Sequence, residues 1–275
     1  SQKPKIVKQI KKTVLITGAG RGLGRATAEA FLLADYTVFA SDNNPDLLTD
    51  LVDRKNIIPI MMDVTSEAEV KKTARKLSEI TKGLDVLVSN AAIFDFYPLA
   101  EAGAEKLKTI FDVNVFGLAN LTKYFLPQLI NAKGRLIVIS SESHKVPSPF
   151  QPYSVSKQSL EKLYQGIRIE LETKGVTSVL IRPGAIQTQI LDDTVNFEDK
   201  MENSIFKETF HAFVTSVPKF IGTISYPSEV AKIVYKAATK KRPKAVYSVN
   251  HNPLVSILSI LPEKVKSTVV RKNLK

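Results

Sequence analysis

The run Thr13-Val14-Leu15-Ile16-Thr17-Gly18-Ala19-Gly20-Arg21-Gly22-Leu23-Gly24 decides how the rest of the chain is read. Its first five residues are β-branched or apolar, the composition of a short buried strand, and residues 22–34 carry Leu23, Ala26, Ala30 and Phe31 at helical spacing. Glycines at such a strand-to-helix junction permit a tight turn and let a ligand approach the backbone closely. The helix behind the turn directs its positive end and its unpaired amides to the same place, which suits a pyrophosphate. An ordinary glycine-rich turn would use the same letters, so the context must decide. Asp42 closes the next apolar run, 18 residues past Gly24, near the offset of about 20 at which an acidic residue meets the ribose hydroxyls of a dinucleotide. A carboxylate there repels a 2′-phosphate and favours NAD over NADP. Arg21 and Arg25 are a counter-signal, since a cation beside the turn can partner that phosphate. Asp63, after the third strand, either accepts from an adenine amino group or starts the next helix with Ser66 as its N-cap.

The same alternation continues outward. Residues 36–40, 57–61, 84–89, 135–140 and 176–181 are nearly continuous apolar runs, as expected of strands covered on both faces of a parallel sheet. Helical patterns fill 67–80, 104–130 and 153–173. The chain is therefore expected to be α/β: a single-domain, doubly wound Rossmann fold spanning 1–275, with a mostly parallel seven-stranded sheet, helices on both faces, and 245–249 as the last strand. Past Ile181 about 45 residues precede the next helix signal at 227–230, where Ser228 is the expected cap. Residues 189–226 are read as a substrate lid insert, because long connections beyond the carboxyl edge of such a sheet commonly carry binding loops. Residues 1–12 form a basic N-terminal extension and 250–275 a basic and apolar C-terminal segment around an amphipathic stretch at 254–261.

Composition narrows the classes. With 275 residues, 44% apolar and 24% charged, the chain is long enough for a substantial core and too apolar for wholesale disorder. The absence of Cys excludes disulfides, thiolate metal sites and a cysteine nucleophile, and a cytoplasmic setting is the expectation. His144, His211 and His251 are dispersed, so no metal site is expected; His144 sits in the loop after Ser141, where a solvated role and a substrate-facing one are both open. No apolar run approaches a membrane span, and the first 12 residues lack the apolar core of a signal peptide. The net charge of +12 raises the question of nucleic acid. Yet residues 1–12 hold five Lys and no acid, and residues 232–275 hold 11 Lys and Arg against Glu263 alone, so the excess sits at the two ends of a slightly acidic body. Without a groove-reading motif no nucleic-acid partner is expected. Cations flanking 254–261 suit either a solvated tail or a weak peripheral contact with anionic lipid.

Tyr153-Ser154-Val155-Ser156-Lys157 places a phenol and an ammonium at i and i+4 on one helix face. A free phenol titrates near 10 and carries protons poorly at neutral pH; a cation a few ångströms away, together with an oxidised nicotinamide, favours the phenolate. Ser140 and Ser141 end the preceding strand and offer a hydroxyl 12 to 13 residues upstream. With these residues in view, the sequence resembles the short-chain dehydrogenase/reductase family in its compact, non-extended form. The matching positions run in family order from Thr13 to about Val249: the glycine motif (Gly18, Gly20, Arg21, Gly22, Leu23, Gly24), Asp42, Asp63 and Val64, Asn90-Ala91-Ala92, Asn114, Ser141, Tyr153, Lys157, and Pro183-Gly184 followed by Ile186 and Thr188.

The resemblance implies a hydride-transfer site. Tyr153 is then the general acid in reduction and general base in oxidation, and Lys157 lowers its pKa and holds the nicotinamide ribose. Ser141 bonds the substrate oxygen, Asn114 anchors a water of the proton relay, and Thr188 with Pro183, Gly184 and Ile186 orients the carboxamide. Asn90 and Ala91 join the glycine motif, Asp42, Asp63 and Val64 at the cofactor. Two departures stand out: Ala92 replaces a usual glycine, and the Ser141 to Tyr153 interval is one residue short, which leaves Ser140 and Ser143 as alternative hydroxyls. Family resemblance also implies a homodimer or homotetramer through the helices at 104–130 and 153–173.

Phe206, Phe210, Phe213 and Val217 recur at helical spacing within an insert that also holds Phe197 and Phe220, and Phe94, Phe96 and Tyr97 follow the Asn90 segment. Either these side chains form core, or they line an apolar pocket for a steroid-, retinoid- or acyl-like alcohol or ketone. The expected activity is an NAD(P)-dependent alcohol dehydrogenase or carbonyl reductase, with NAD ahead of NADP. Reduction of polar sugars or polyols, and a non-catalytic nucleotide-binding regulator on the same fold, are the alternatives; the regulator would be expected to lose Tyr153 or Lys157.

Overall fold

The computed structural model describes residues 11–187, 201–272 and 274. Seven strands form one sheet: β1 (Thr13–Thr17), β2 (Thr37–Asp42), β3 (Ile57–Met61), β4 (Val86–Ser89), β5 (Arg135–Ile139), β6 (Thr177–Pro183) and β7 (Val246–Val249). Their order is β3-β2-β1-β4-β5-β6-β7 and all pairings are parallel. The chain crosses from one half to the other between β1 and β4. That crossing opens a crevice beyond the carboxyl ends of the strands, where open α/β sheets bind their ligands. Every residue of β1 is buried, which explains why the strand reads as a solid apolar run and not as an alternation. Pro59 lies in β3, at the sheet edge, where a missing backbone donor is tolerated.

Helices α1 (Gly22–Leu33), α2 (Glu67–Ile80), α3 (Gly103–Phe111), α4 (Gly117–Ala132), α5 (Pro152–Glu172), α6 (Lys207–Phe220), α7 (Pro227–Thr239), α8 (Pro253–Ser259) and α9 (Glu263–Lys272) follow in chain order among the described residues. Alternate strand residues face opposite ways and build two cores. On one face Val14, Ile16, Val38, Ile137 and Val179 pack with Phe31 of α1 and Val230 and Val234 of α7. On the other, Leu15, Phe39, Leu87, Leu136 and Leu180 meet Leu77 of α2, Phe125 of α4 and Tyr164 of α5. A third cluster, Phe96, Phe150, Met201, Phe210 and Phe213, stands apart from the sheet.

Three local expectations are corrected. The helical pattern at 104–130 is interrupted by a π-helical turn, Asp112–Phe116, between α3 and α4. Ser228 is not the cap of α7: Tyr226 is the N-cap, its amide donating to Glu229 Oε2 at 2.9 Å, with Pro227 in the first turn. The C-terminal stretch forms two helices, α8 and α9, neither with a fully buried residue, so no strong apolar stripe announced the second. Ser66 does cap α2, accepting from Glu69 N at 3.3 Å. Of the insert, residues 189–200, including Phe197, and Thr188 before it lie outside the described residues; so do the side chains of His144, Val217 and Phe220.

Candidate active site

The crevice opens into a cavity of about 1930 Å³, larger than the roughly 300–1,000 Å³ typical of a single small-ligand pocket. Its lining runs from Gly18, Arg21, Gly22, Leu23 and Gly24 past Asp42, Asp63, Val64, Asn90 and Ala91 to Ser141, Tyr153, Lys157, Pro183, Gly184 and Ile186. Residues far apart in sequence therefore meet along one trough.

At one end the glycine turn is held by its neighbours. Asn90 Nδ2 donates to Thr17 O at 2.9 Å and Gly18 O at 3.2 Å, while the amides of Asn90 and Ala91 donate to Thr17 Oγ1 at 3.0 and 3.1 Å. Gly18 has φ +64, and a Cβ on Gly24 would collide with the Gly18 carbonyl. Helix α1 has no side-chain cap and no acidic residue in its first turn. Its leading amides and positive end are thus left for an anion, and this cradle fits a dinucleotide pyrophosphate. The Asp42 carboxylate accepts from Gly20 N at 3.0 Å and Asn44 N at 3.1 Å, which fixes it against the turn. Asp63 Oδ1 accepts from Thr65 N and Thr65 Oγ1 at 2.8 and 2.9 Å, so it shapes the β3–α2 turn as well as the cavity wall. Arg21 lines the cavity. Arg25 does not join it: its guanidinium pairs with Asp50 and with Glu29 on the helix flank, because one further turn of helix carries it off the loop.

At the other end, α5 presents Tyr153 and Lys157. Lys157 is buried, donates to Ile139 O at 2.9 Å and lies 5.5 Å from the centre of the Tyr153 ring. Burial pulls its ammonium down to about 8, opposed by the Glu161 carboxylate. Burial likewise pushes the Tyr153 phenol up to about 12, opposed by a hydrogen bond with Ser141. The Lys157 ammonium donates to a backbone carbonyl and lies over the ring face, and at the phenol desolvation prevails. Ser141 accepts from Ser143 N at 3.2 Å, and its bond with Tyr153 sets it apart from the other two serines. Ser140 donates instead to Glu161 Oε1 at 2.6 Å, and Ser143 Oγ is buried without a partner.

Asn114 belongs to the π-helical turn and is buried. Its side chain accepts from Ile93 N and donates to Ile93 O, both at 2.9 Å, and donates to Ser156 Oγ at 2.9 Å. It clamps the chain after β4 to α5, and such π turns recur at functional sites.

A family model described as short chain dehydrogenase matches residues 12–199. A protein of Ornithobacterium rhinotracheale named NADPH-dependent 3-dehydrocapnine reductase is 30% identical over 274 residues, covering 95% of this chain and 96% of its own. The chain belongs to the short-chain dehydrogenase/reductase family. A short-chain dehydrogenase from Streptomyces avermitilis has a TM-score of 0.75 at 26% identity, covering 96% of this chain and 95% of its own. A family member from Burkholderia phymatum solved in complex with NAD has a TM-score of 0.77 at 22% identity, covering 94% and 95%. The protein is thus an oxidoreductase of that family with an NAD(P)-binding fold.

Against this short-chain dehydrogenase fold, other residues of the trough went unforeseen. Thr17, outside the cavity wall itself, gave no signal of its own although its hydroxyl is the acceptor that holds the Asn90 segment. Asn43, Asn44 and Leu47 close the wall behind Asp42, and Glu142 lines the far side, its Oε2 accepting from Asn252 N at 2.9 Å. Val255, Val270 and Leu274 of the C-terminal segment also reach the cavity. Phe94, Phe96, Phe210 and Phe213 do face it; the Phe94 ring lies 4.9 Å from that of Tyr153 and 4.8 Å from Phe96. His211 lines the cavity too, whereas His251 does not appear in its wall.

Proposed function

We propose that the protein is an alcohol dehydrogenase or carbonyl reductase that interconverts an apolar secondary alcohol and its ketone, with NAD as the preferred cofactor. The reading rests chiefly on one observation: a Tyr153 phenol bonded to Ser141 on the wall of the trough, with Lys157 beside it. The cofactor supplies the hydride acceptor in oxidation and the hydride donor in reduction. Gly18, Gly20, Arg21, Gly22, Leu23 and Gly24 would hold its pyrophosphate, Asp42 its adenosine ribose, Asp63 and Val64 its adenine, and Asn90, Ala91, Pro183, Gly184, Ile186 and Thr188 its nicotinamide half. Tyr153 takes the hydroxyl proton during oxidation and returns it during reduction. Ser141 donates to the substrate oxygen as charge develops there. Lys157 favours the phenolate, and Asn114 holds the π-helical turn against α5 so that the proton path keeps its shape.

The apolar preference draws support from Phe94, Phe96, Phe210 and Phe213 along the cavity. The NAD preference draws support from the Asp42 carboxylate and from Arg25 being engaged elsewhere. A second reading, NADPH-dependent reduction, is favoured by Arg21 in the cavity wall and by the name of the Ornithobacterium relative. A screen of aliphatic, steroid, retinoid and polyol alcohols with NAD and NADP in parallel, followed by nicotinamide absorbance, tests both choices. Turnover of an apolar alcohol with NAD is expected; preference for polyols, or equal use of both cofactors, would refute the corresponding half.

We also infer a weak peripheral contact with anionic lipid through α8 and α9. Leu254 and Ile257 of α8, Ile260 between the helices and Val265 of α9 are exposed, and α9 also carries exposed Lys264, Arg271 and Lys272. Co-flotation with phosphatidylserine vesicles should be lost when Leu254, Ile257 and Ile260 are changed to Ser; equal recovery of both forms would end the idea. Self-association as a dimer or tetramer through the helical segments at 104–130 and 153–173 is supported by exposed Phe116 of the π-helical turn and Val155 and Ile169 of α5. Sedimentation of Ile169→Asp against the unaltered protein tests it, a lower mass being expected and an unchanged one refuting it.

A further inference from the structure

We propose that Glu161 is a positioning residue that keeps the Lys157 ammonium charged and directed at Tyr153. The proposal rests on the catalytic roles assigned above to Tyr153 and Lys157. Tyr153, Lys157 and Glu161 follow one another at i+4 steps along α5, so phenol, ammonium and carboxylate share one helix face. Glu161 is almost wholly buried. Its Oε1 accepts from Ser140 Oγ at 2.6 Å and from Arg182 Nε at 2.9 Å, and its Oε2 accepts from Arg182 Nη2 at 2.5 Å. The two Arg182 bonds make a forked pair, the geometry that orients a carboxylate most firmly.

These bonds reach both strands beneath the site. Ser140 adjoins Ile139, whose carbonyl receives Lys157 Nζ, and also adjoins Ser141; Arg182 belongs to β6 and precedes the cavity residues Pro183 and Gly184. One buried carboxylate therefore ties the helix carrying Tyr153 and Lys157 to the strand ends carrying the other site residues.

Charge makes the tie more than mechanical. A buried ammonium tends to lose its proton, and a nearby anion opposes that loss. On the elements packed against α5, Asp112 of the π-helical turn pairs with Lys108 of α3, and Glu142 of the 3₁₀ turn at Glu142–Lys145 pairs with Lys145. Further along α5 itself, Arg168 pairs with Glu172. Glu161 is the charge that acts on Lys157, raising it against burial, while Arg182 is the cation that Glu161 holds in check. Removing the carboxylate would leave the Lys157 ammonium buried without the anion that opposes its deprotonation and the Arg182 guanidinium without its forked partner.

This arrangement predicts opposite signs for two neutral substitutions. In alcohol oxidation the pH profile of kcat/KM should have an alkaline limb where Lys157 loses its proton. Glu161→Gln should move that limb down by a pH unit or more, so that kcat/KM above it falls about tenfold relative to the unaltered protein. Arg182→Gln should move it up, and Ser140→Ala, which removes one hydrogen bond and no charge, should leave it in place. A carboxylate that merely braces the fold would lower thermal stability in all three variants and move no limb. A limb unmoved by Glu161→Gln, or moved the same way by all three, overturns the proposal. Titration of Lys157 by NMR in protein labelled at the lysine ε-carbon reads the same shifts without turnover. A failure of the catalytic reading would leave those NMR shifts intact, whereas a failure of the Glu161 proposal would abolish them. Should Glu161→Gln not fold, Arg182→Gln decides alone: a higher Lys157 titration supports the proposal and an unchanged or lower one refutes it.

Discussion

Replacing Lys157 by Met gives a stability test that needs no substrate. The folded protein holds this ammonium near 8, whereas lysine ordinarily titrates near 10.5. The unfolded chain therefore binds more protons than the folded one between those values, and stability must rise with pH across that window. The full gap is worth about 3 kcal/mol, of which roughly 2–3 kcal/mol falls between pH 7 and pH 10. Met leaves the Ile139 carbonyl without its donor, at a cost of about 1–3 kcal/mol, but that cost does not depend on pH. The quantity to follow is the difference in unfolding free energy between the two proteins, measured by urea denaturation at pH 7, 8, 9 and 10. Other lysines and tyrosines titrate in both proteins and cancel. The unaltered protein should gain about 2–3 kcal/mol on the variant over this range. A constant difference, or one that moves the other way, would show that Lys157 is not held down by burial.

Other expectations follow from the same contacts. Gly24→Ala would drive a methyl into the Gly18 carbonyl and to 2.7 Å from Asn90 Nδ2; overpacking of this kind costs about 1–3 kcal/mol, and scanning fluorimetry should find a lower Tm together with weaker nicotinamide dinucleotide binding. Asp42→Asn should raise the ratio of NADP to NAD turnover about tenfold, read from kcat/KM for each, because it removes the charge that opposes a 2′-phosphate. Phe94→Ala should raise KM for a bulky apolar alcohol several-fold while leaving the dissociation constant of NAD unchanged, since Phe94 packs on Tyr153 and Phe96.

The parts of the fold that were legible in sequence are those whose signal is local. Thr13–Thr17 and the glycines after it announce themselves because burial on both faces demands an apolar strand and the turn demands glycine. Tyr153 and Lys157 were legible because a helix makes i and i+4 neighbours whatever surrounds them. What stayed hidden depends on contacts across the fold. The π-helical turn goes with Asn114 binding Ile93 and Ser156 from other elements, which no window of sequence contains. Tyr226 caps α7 because Glu229 reaches back to it, a geometry that outranked the better capping residue Ser228. Arg25 looked like a phosphate partner until Asp50 and Glu29 were found around it. Glu161 read as an ordinary helix acid; only the approach of Ser140 and Arg182 from two strands gives it a place under the site. The charge surplus needed only counting: among the described residues its C-terminal cations sit on α7, on residues 240–244 and on α9, and α8 carries none.

The central claim is that Tyr153 carries the proton during hydride transfer, and Tyr153→Phe measures it most directly. The variant keeps the ring against Phe94 and removes only the hydroxyl. With the best alcohol from the screen, turnover should fall by at least about a hundredfold, the contribution typical of a general acid or base, while NAD binding measured by calorimetry stays within about twofold of the unaltered protein. Turnover at the normal rate with the phenol gone would contradict the account.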